Sequence, residues 1–355
     1  FYDWKQRMPT RYASITGWGK YAPDNVVTND DLAEHMDTSD EWIRSRSGIR
    51  ERRFAEEDDT TATMSTASGQ KAMERAGIAA EDLDLILVAT SSPDHITPPV
   101  SSQVQDALGA DGVGAMQITV GCTGFVYALV TAEQFIKTGA YDTILVIGTE
   151  LISRWLSYDH RDTAVLFGDG SGAVVVEATE TPCGICGHVL GSDGSGAEHI
   201  ILPAGGVAYP TTHEAIDQGD TIVQMNGREV FKFATRVLGR ALDEAMQSAN
   251  MQPDDIDLFI PHQANRRIIQ YAANEAGLPM DRVVVNVDRY GNTSAASVPL
   301  ALCEAFETGR VEAGDTLALV AFGAGLTWAS AIVQLAPEIP ALQSASATAD
   351  RAPAL

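Results

Sequence analysis

Long-range repetition is the feature that most narrows what this chain can fold into. Residues 79–90, Ala-Ala-Glu-Asp-Leu-Asp-Leu-Ile-Leu-Val-Ala-Thr, are matched by residues 252–263, Gln-Pro-Asp-Asp-Ile-Asp-Leu-Phe-Ile-Pro-His-Gln. Residues 141–148, Tyr-Asp-Thr-Ile-Leu-Val-Ile-Gly, are matched by Gly-Asp-Thr-Leu-Ala-Leu-Val-Ala-Phe-Gly at 314–323. Between them the turn Ile118-Thr-Val-Gly-Cys-Thr-Gly124 pairs with residues 287–294, so that Gly121-Cys122 fall on Gly291-Asn292. The offset is about 170 residues, far beyond any solenoid period, so the repeated unit is half the chain. Two copies predict a pseudo-twofold arrangement in which equivalent turns face one another across a shared cleft. Within each copy helical segments alternate with apolar runs such as 83–90, the pattern of strands buried on both faces of a parallel sheet.

The duplication sets the expected boundaries. Residues 1–13 read as an N-terminal extension, with Met8 a plausible native start. Residues 14–180 read as the first half, 181–336 as the second, and 337–355 as a Pro/Ala/Ser tail expected to be mobile or loosely docked. A chain of 355 residues with 45% hydrophobic content can bury a substantial core. Its formal charge of −24 argues against a nucleic-acid partner, whose phosphates it would repel. No apolar run approaches the ~18 residues of a membrane span, and no signal-like segment opens the chain, so a cytoplasmic protein with no membrane partner is expected. The four cysteines, Cys122, Cys183, Cys186 and Cys303, are too few for a disulfide framework in a chain this long.

Chemistry points first to Cys122, placed where a strand-like run passes into a helix-like one. A helix N-terminus offers unpaired N–H groups and partial positive charge, so a thiol there is expected to ionise more readily and act as a nucleophile. The plainer reading is a small buried hydrophobe. The second copy supplies two polar groups where its own turns end: His262, after the strand-like 256–261, and Asn292, before a run of small residues. Cys, His and Asn together would make a nucleophile with two hydrogen-bonding partners. Arg44, Arg46, Arg50, Arg52 and Arg53 crowd into ten residues, beside enough acidic neighbours to be a solvated face. Cys183-Gly-Ile-Cys186, with His188 nearby, is half of a zinc or redox motif and lacks a second pair, so no metal site is expected.

Taken together, Asp40-Glu-Trp-Ile43, Gly48-Ile-Arg-Glu-Arg-Arg53, Phe167-Gly-Asp-Gly170, Pro261-His-Gln-Ala-Asn265, Gly291-Asn-Thr-Ser-Ala-Ala-Ser297 and Ala321-Phe-Gly-Ala-Gly-Leu-Thr-Trp328 resemble β-ketoacyl-acyl carrier protein synthase III, the fatty-acid initiating branch of the thiolase superfamily. The resemblance implies an α/β, five-layer αβαβα fold with internal duplication, a homodimer, and a catalytic set Cys122, His262 and Asn292. It implies acylation of Cys122 by an acyl-CoA, then decarboxylating condensation with malonyl-acyl carrier protein, with no cofactor beyond the CoA thioester. The oxyanion hole would be the N–H groups of Cys122 and Ala324. Trp42, Arg46, Arg161 and Gly227 would bind CoA, and Lys232, Arg266 and Arg267, with Arg228 nearby, would meet the acidic carrier protein. Thr97 and Phe167 would shape the acyl pocket, Thr97 reaching it from a neighbouring subunit. The family's usual Ala-Ala-Cys-Ala-Gly is replaced by Thr119-Val-Gly-Cys-Thr-Gly124, its triple glycine by Gly323-Ala-Gly325, and a commonly bulky residue by Thr97. The primer is therefore open, and so is a second activity on the same fold, acyl transfer to an oxygen or nitrogen acceptor.

Overall fold

The computed structural model describes residues 10–342. Strands β1 (Tyr12–Tyr21), β2 (Leu85–Ala89), β3 (Gly114–Ile118), β4 (Thr143–Glu150) and β5 (Gly170–Thr179) form one sheet in the order β1-β5-β4-β2-β3. Strands β6 (Gly184–Ser192), β7 (Leu258–Pro261), β8 (Thr316–Gly323) and β9 (Thr327–Gln334) form a second in the order β6-β9-β8-β7. The pairings match one for one. In the first sheet β1–β5 and β4–β5 are antiparallel while β4–β2 and β2–β3 are parallel. In the second, β6–β9 and β8–β9 are antiparallel and β7–β8 is parallel, and a lone parallel bridge from Phe259 to Val283 stands where β3 would be. Apolar runs with no polar face produce the central strands: all five side chains of β2 and all eight of β8 are buried.

Helices fill three layers around the sheets. Label α1 for Asp40–Ser47, α2 for Thr61–Ala76, α3 for Gly124–Lys137, α4 for Gly227–Ala249, α5 for Arg266–Glu275 and α6 for Ser297–Glu307. Helix α2 covers the outer face of the first sheet, α4 with α5 covers the outer face of the second, and α3 and α6 lie between the two sheets. The five-layer αβαβα arrangement expected from the sequence is thus present. The middle layer is tight. A Cβ on Gly148 of β4 would sit 2.5 Å from the Ala295 carbonyl oxygen, and one on Gly172 of β5 would sit 2.7 Å from the Pro299 carbonyl carbon. Only side-chain-free strand positions allow α6 this close.

Three sequence expectations need correction. The N-terminal extension ends earlier than residue 13, because Tyr12 and Ala13 already pair with Thr179 and Ala178. The tail begins later than 337: Ile339 is 1% exposed and Ala341 is buried in the same apolar cluster as α3 and α6. Their apolar side chains outweigh the Pro/Ala/Ser composition around them, and residues 343–355 lie outside the described residues. The third correction concerns the repeat. Leu85 and Leu258, Thr143 and Thr316, and the helix starts Gly124 and Ser297 are each 173 residues apart. Cys122 therefore corresponds to Ala295 rather than Asn292, and Gly121 corresponds to Ser294. Both of these last two residues have positive φ, 61° and 48°.

Candidate active site

A cavity of about 1000 Å³ opens at the C-terminal ends of the parallel strands and is lined by residues of both halves. Cys122, His262 and Asn292 all line it, together with Phe167 and Ala324. Each arrives there for a local reason. Cys122 lies in a 3-10 turn, Gly121–Thr123, that leads directly into α3. His262 follows the last residue of β7, its own N–H donating to the Val320 carbonyl of the neighbouring β8. Asn292 is pinned by a two-way exchange with the Phe167 strand: its N–H donates to the Leu166 carbonyl and its carbonyl accepts from Gly168 N–H.

Orientation follows from the hydrogen bonds. The Asn292 side-chain oxygen accepts from Ser294 N–H at 2.9 Å, which assigns the amide and leaves its NH2 as the group free to serve the cavity. His262 is 1% exposed, with Nδ1 bonded to the Ser297 hydroxyl and its ring edge-on to Phe322 at 5.3 Å. Its Nε2 is buried and has no hydrogen-bond partner among the described residues. A buried polar atom without a partner is costly, about 1–3 kcal/mol, and is expected where a ligand completes it.

Around the thiol, Gly323 and Ala324 press close. A Cβ on Gly323 would sit 2.6 Å from the Cys122 nitrogen, and one on Gly121 would sit 2.9 Å from the Ala324 nitrogen. The two turns thus place the Cys122 and Ala324 N–H groups side by side at the sulfur. The net ionisation of the thiol is not the one expected from helix position. Burial pushes the Cys122 thiol up to about 12 and the Glu150 charge adds to this, while the Ser294 hydroxyl and the N–H groups of Cys122 and Ala324 pull the other way. Desolvation is the largest influence on the sulfur, which lines the cavity wall, and it outweighs the helix end. The resting nucleophile is a neutral thiol. Burial also pushes His262 down to about 3, so its imidazole is neutral.

The other expected residues divide. Trp42 and Arg46 of α1 line the cavity mouth, and the Arg46 and Arg161 guanidinium carbons lie 4.5 and 4.4 Å from the Trp42 ring centroid. Arg161 also donates to the Asp37 carbonyl at 2.7 Å. Gly227, at the start of α4, and Arg228 border the mouth, as does Arg267, which lies over Phe231. Lys232 is outside it, exposed and paired with Glu229. Arg266 points away, toward a separate shallow depression beside Asp40 and Gly48. Thr97 is exposed next to Ile96, itself 82% exposed, and does not reach this chain's cavity. Cys183 and Cys186 are free thiols at the start of β6, and no cluster of three or more metal-ligating side chains occurs among the described residues.

Sequence reasoning missed Ser294, Glu150 and Ser297, which hold the reacting groups, and Arg236 and Arg240, which extend the basic series on α4. With Arg228 and Lys232 these last two repeat at i, i+4, i+8 and i+12, a spacing readable in the sequence, and all four are exposed. It puts four cations on one helix face over roughly 18 Å.

Residues 116–194 match the family model for 3-oxoacyl-[acyl-carrier-protein] synthase III, and residues 246–335 match the model for its C-terminal portion. The β-ketoacyl-[acyl-carrier-protein] synthase III of Caldanaerobacter subterraneus is 47% identical over 322 residues, covering 91% of this chain and 97% of that one. The enzyme of the same description from Thermus thermophilus has a crystal structure that superposes with a TM-score of 0.85 at 43% identity, covering 92% of this chain and all of the other. A priming β-ketosynthase from the R1128 polyketide pathway superposes with a TM-score of 0.86 at 33% identity, covering 94% and 100%.

Proposed function

This chain belongs to the β-ketoacyl-[acyl-carrier-protein] synthase III family, and from that premise we propose how its own residues divide the work. The reaction is the decarboxylating Claisen condensation of an acyl-CoA with malonyl-acyl carrier protein, which yields 3-ketoacyl-acyl carrier protein and initiates fatty-acid synthesis. Cys122 attacks the acyl-CoA carbonyl, and the N–H groups of Cys122 and Ala324 hold the negative oxygen of the tetrahedral intermediate. Donors so placed contribute about 3–4 kcal/mol each to the transition state. After malonyl thioester enters, loss of carbon dioxide leaves an enolate whose oxygen takes hydrogen bonds from His262 Nε2 and the Asn292 NH2. For Nε2 to donate, Nδ1 must accept, and the Ser297 hydroxyl is the donor available to it. The enolate carbon then attacks the acyl group on Cys122.

The observation that carries this reading is the orphaned Nε2 of His262, which lines the cavity with Cys122 and with Asn292, whose amide oxygen is already taken by Ser294 N–H. Acyl transfer to an oxygen or nitrogen acceptor makes no enolate and has no use for both His262 and Asn292. Trp42 with Arg46 and Arg161 takes the CoA adenine, which displaces one guanidinium from the ring or is clamped between ring and guanidinium. Gly227 borders the pantetheine channel, and Phe167 borders the acyl group. Lys232, Arg267 and the remaining cations of α4 receive the acidic carrier protein, with Arg266 at the margin. The protein works as a homodimer joined at the free edge of β3, where Met116 is exposed and nearby Ile96 projects. Thr97 of one protomer then closes the acyl pocket of its partner, its small side chain leaving room for longer or branched primers. Four free cysteines suit work in a reducing cytoplasm, and no helix among the described residues is long and apolar enough to cross a membrane.

Incubation with acyl-CoAs of graded length, followed by intact mass measurement, tests the scheme. Mass is expected on Cys122, and subsequent malonyl-acyl carrier protein is expected to release carbon dioxide and ketoacyl product. Acylation that persists in Cys122→Ala, or acylation without carbon dioxide release, overturns it.

A further inference from the structure

Beside the nucleophile lies a carboxylate that this scheme leaves without a task. Glu150, the last residue of β4, is 0% exposed. One of its oxygens accepts from the Ser92 hydroxyl at 2.6 Å and the Thr90 hydroxyl at 3.4 Å. The other accepts from Ser91 N–H and from the Ser294 hydroxyl, both at 3.1 Å. Ala295 N–H also points to it. Every partner is a neutral donor. The groups that face it are Thr90, Ser91 and Ser92 from the segment after β2, Ser294 and Ala295 from the turn before α6, Gly170 from β5, and Cys122. Cys122 is the one titratable side chain in that set.

Ser294 joins the two. It corresponds to Gly121 in the first half and keeps that glycine's left-handed backbone, φ 48°, while carrying a side chain. A non-glycine residue in this region costs on the order of 1 kcal/mol and persists where its side chain is used. Here the side chain gives its hydrogen to Glu150 and also lies beside the Cys122 sulfur, so one rotatable hydroxyl stands between thiol and carboxylate. The resting thiol needs somewhere to send a proton, and neutral His262 is committed to the enolate.

We propose that Ser294 and Glu150 form a proton relay that empties and refills the Cys122 thiol. The proposal rests on the acyl-Cys122 reading above. In acylation the sulfur passes its proton to Ser294 Oγ as Ser294 passes its own to Glu150. The sulfur electron pair forms the bond to the thioester carbonyl carbon. CoA sulfur leaves with the electrons of the broken bond and takes a proton from solvent. In condensation Cys122 Sγ leaves with its bonding pair and recovers the stored proton along the same path. One solvent proton is consumed per turnover, and no other reactant is needed. The relay takes Glu150 as the carboxylate, the form that the Ser92, Ser91, Ser294 and Ala295 donors favour against burial.

The test is the pre-steady-state rate of Cys122 acylation, followed by intact mass between pH 5 and 9, in Glu150→Gln and Ser294→Gly. Glycine suits the positive φ and removes the CH2OH side chain without straining the backbone. Both variants are expected to acylate at least about 100-fold more slowly at pH 7. Their residual rate should climb about tenfold per pH unit, because the thiol must then ionise unaided. Glu150→Asp should restore part of the rate together with the wild-type pH profile, which a merely structural role would not produce. The double variant should be no slower than either single one. A folded Glu150→Gln with wild-type rate and profile overturns the relay. If circular dichroism shows Glu150→Gln unfolded, Ser294→Gly decides alone, and an unchanged rate and profile there overturns it. Wild-type enzyme that no acyl-CoA acylates overturns the underlying reading instead, and the relay with it.

Discussion

Substituting Gly323 by alanine separates the oxyanion hole from everything else at the site. The added Cβ would lie 2.6 Å from the Cys122 nitrogen and 3.2 Å from its Cα, both backbone atoms of the turn. Relaxing the closer contact to roughly 3.4 Å moves the two turns apart by about 0.8 Å. A hydrogen bond to a developing oxyanion works at about 2.7–3.1 Å, so a displacement of that size removes the Ala324 donor from range. Losing one such donor costs on the order of 3–4 kcal/mol, a fall of about 100- to 1000-fold in acylation. Overpacking should destabilise the fold by about 1–3 kcal/mol, which leaves a protein of this kind folded. The assay is the single-turnover rate of mass gain on Cys122 at saturating acyl-CoA, with CoA affinity measured separately and expected to be unchanged. Ala324→Gly keeps the N–H and should acylate within a few-fold of wild type. If Gly323→Ala, folded and saturated, acylates within about threefold of wild type, the Ala324 N–H is not an oxyanion donor.

Two further outcomes are expected. Burial holds His262 near 3 against the usual 6.5, so between those values the unfolded chain binds the proton that the folded one refuses. Stability is complete above pH 6.5 and falls with acidification, by about 2 kcal/mol between pH 7 and 5; His262→Gln should remove that much of the decline in urea titrations. Reversing the far end of the basic series with Arg236→Glu and Arg240→Glu should raise KM for malonyl-acyl carrier protein roughly tenfold at low salt while leaving malonyl-CoA turnover unchanged. Equal effects on both substrates would place the carrier protein elsewhere.

The strands and the duplicated half were legible because buried parallel strands print themselves as uninterrupted apolar runs, and two such runs recurred with one spacing. That spacing, 173 residues in both flanking matches, already contained the registration of the cysteine turn. By that offset Cys122 falls on Ala295 and Gly121 on Ser294, whereas Asn292, the residue whose chemistry stands out, lies three positions before Ala295. Cys122, His262 and Asn292 stood out because each is a distinctive residue at the end of a recognisable element. Glu150 and Ser294 did not, since one ends a strand like any exposed carboxylate and the other sits in a run of small residues. Only the contact of four separate segments gives them meaning. The thiol's ionisation is illegible in sequence for a related reason: a helix end is visible there, whereas the burial that outweighs it is a tertiary fact.

The close fit of α6 against Gly148 and Gly172 also has a consequence in time. Gly172 leaves the ribosome roughly 130 residues ahead of Pro299, an interval of roughly 6–25 s at ordinary elongation rates. Throughout it the first sheet exists with its inner face lacking the helix that seals it, and that face carries Leu85, Leu87, Val146, Val174 and Val176. The nascent chain therefore passes through a stage with a large apolar surface and an open seam. Chaperone occupancy should stay high on nascent chains until α6 has left the exit tunnel and drop once it has emerged.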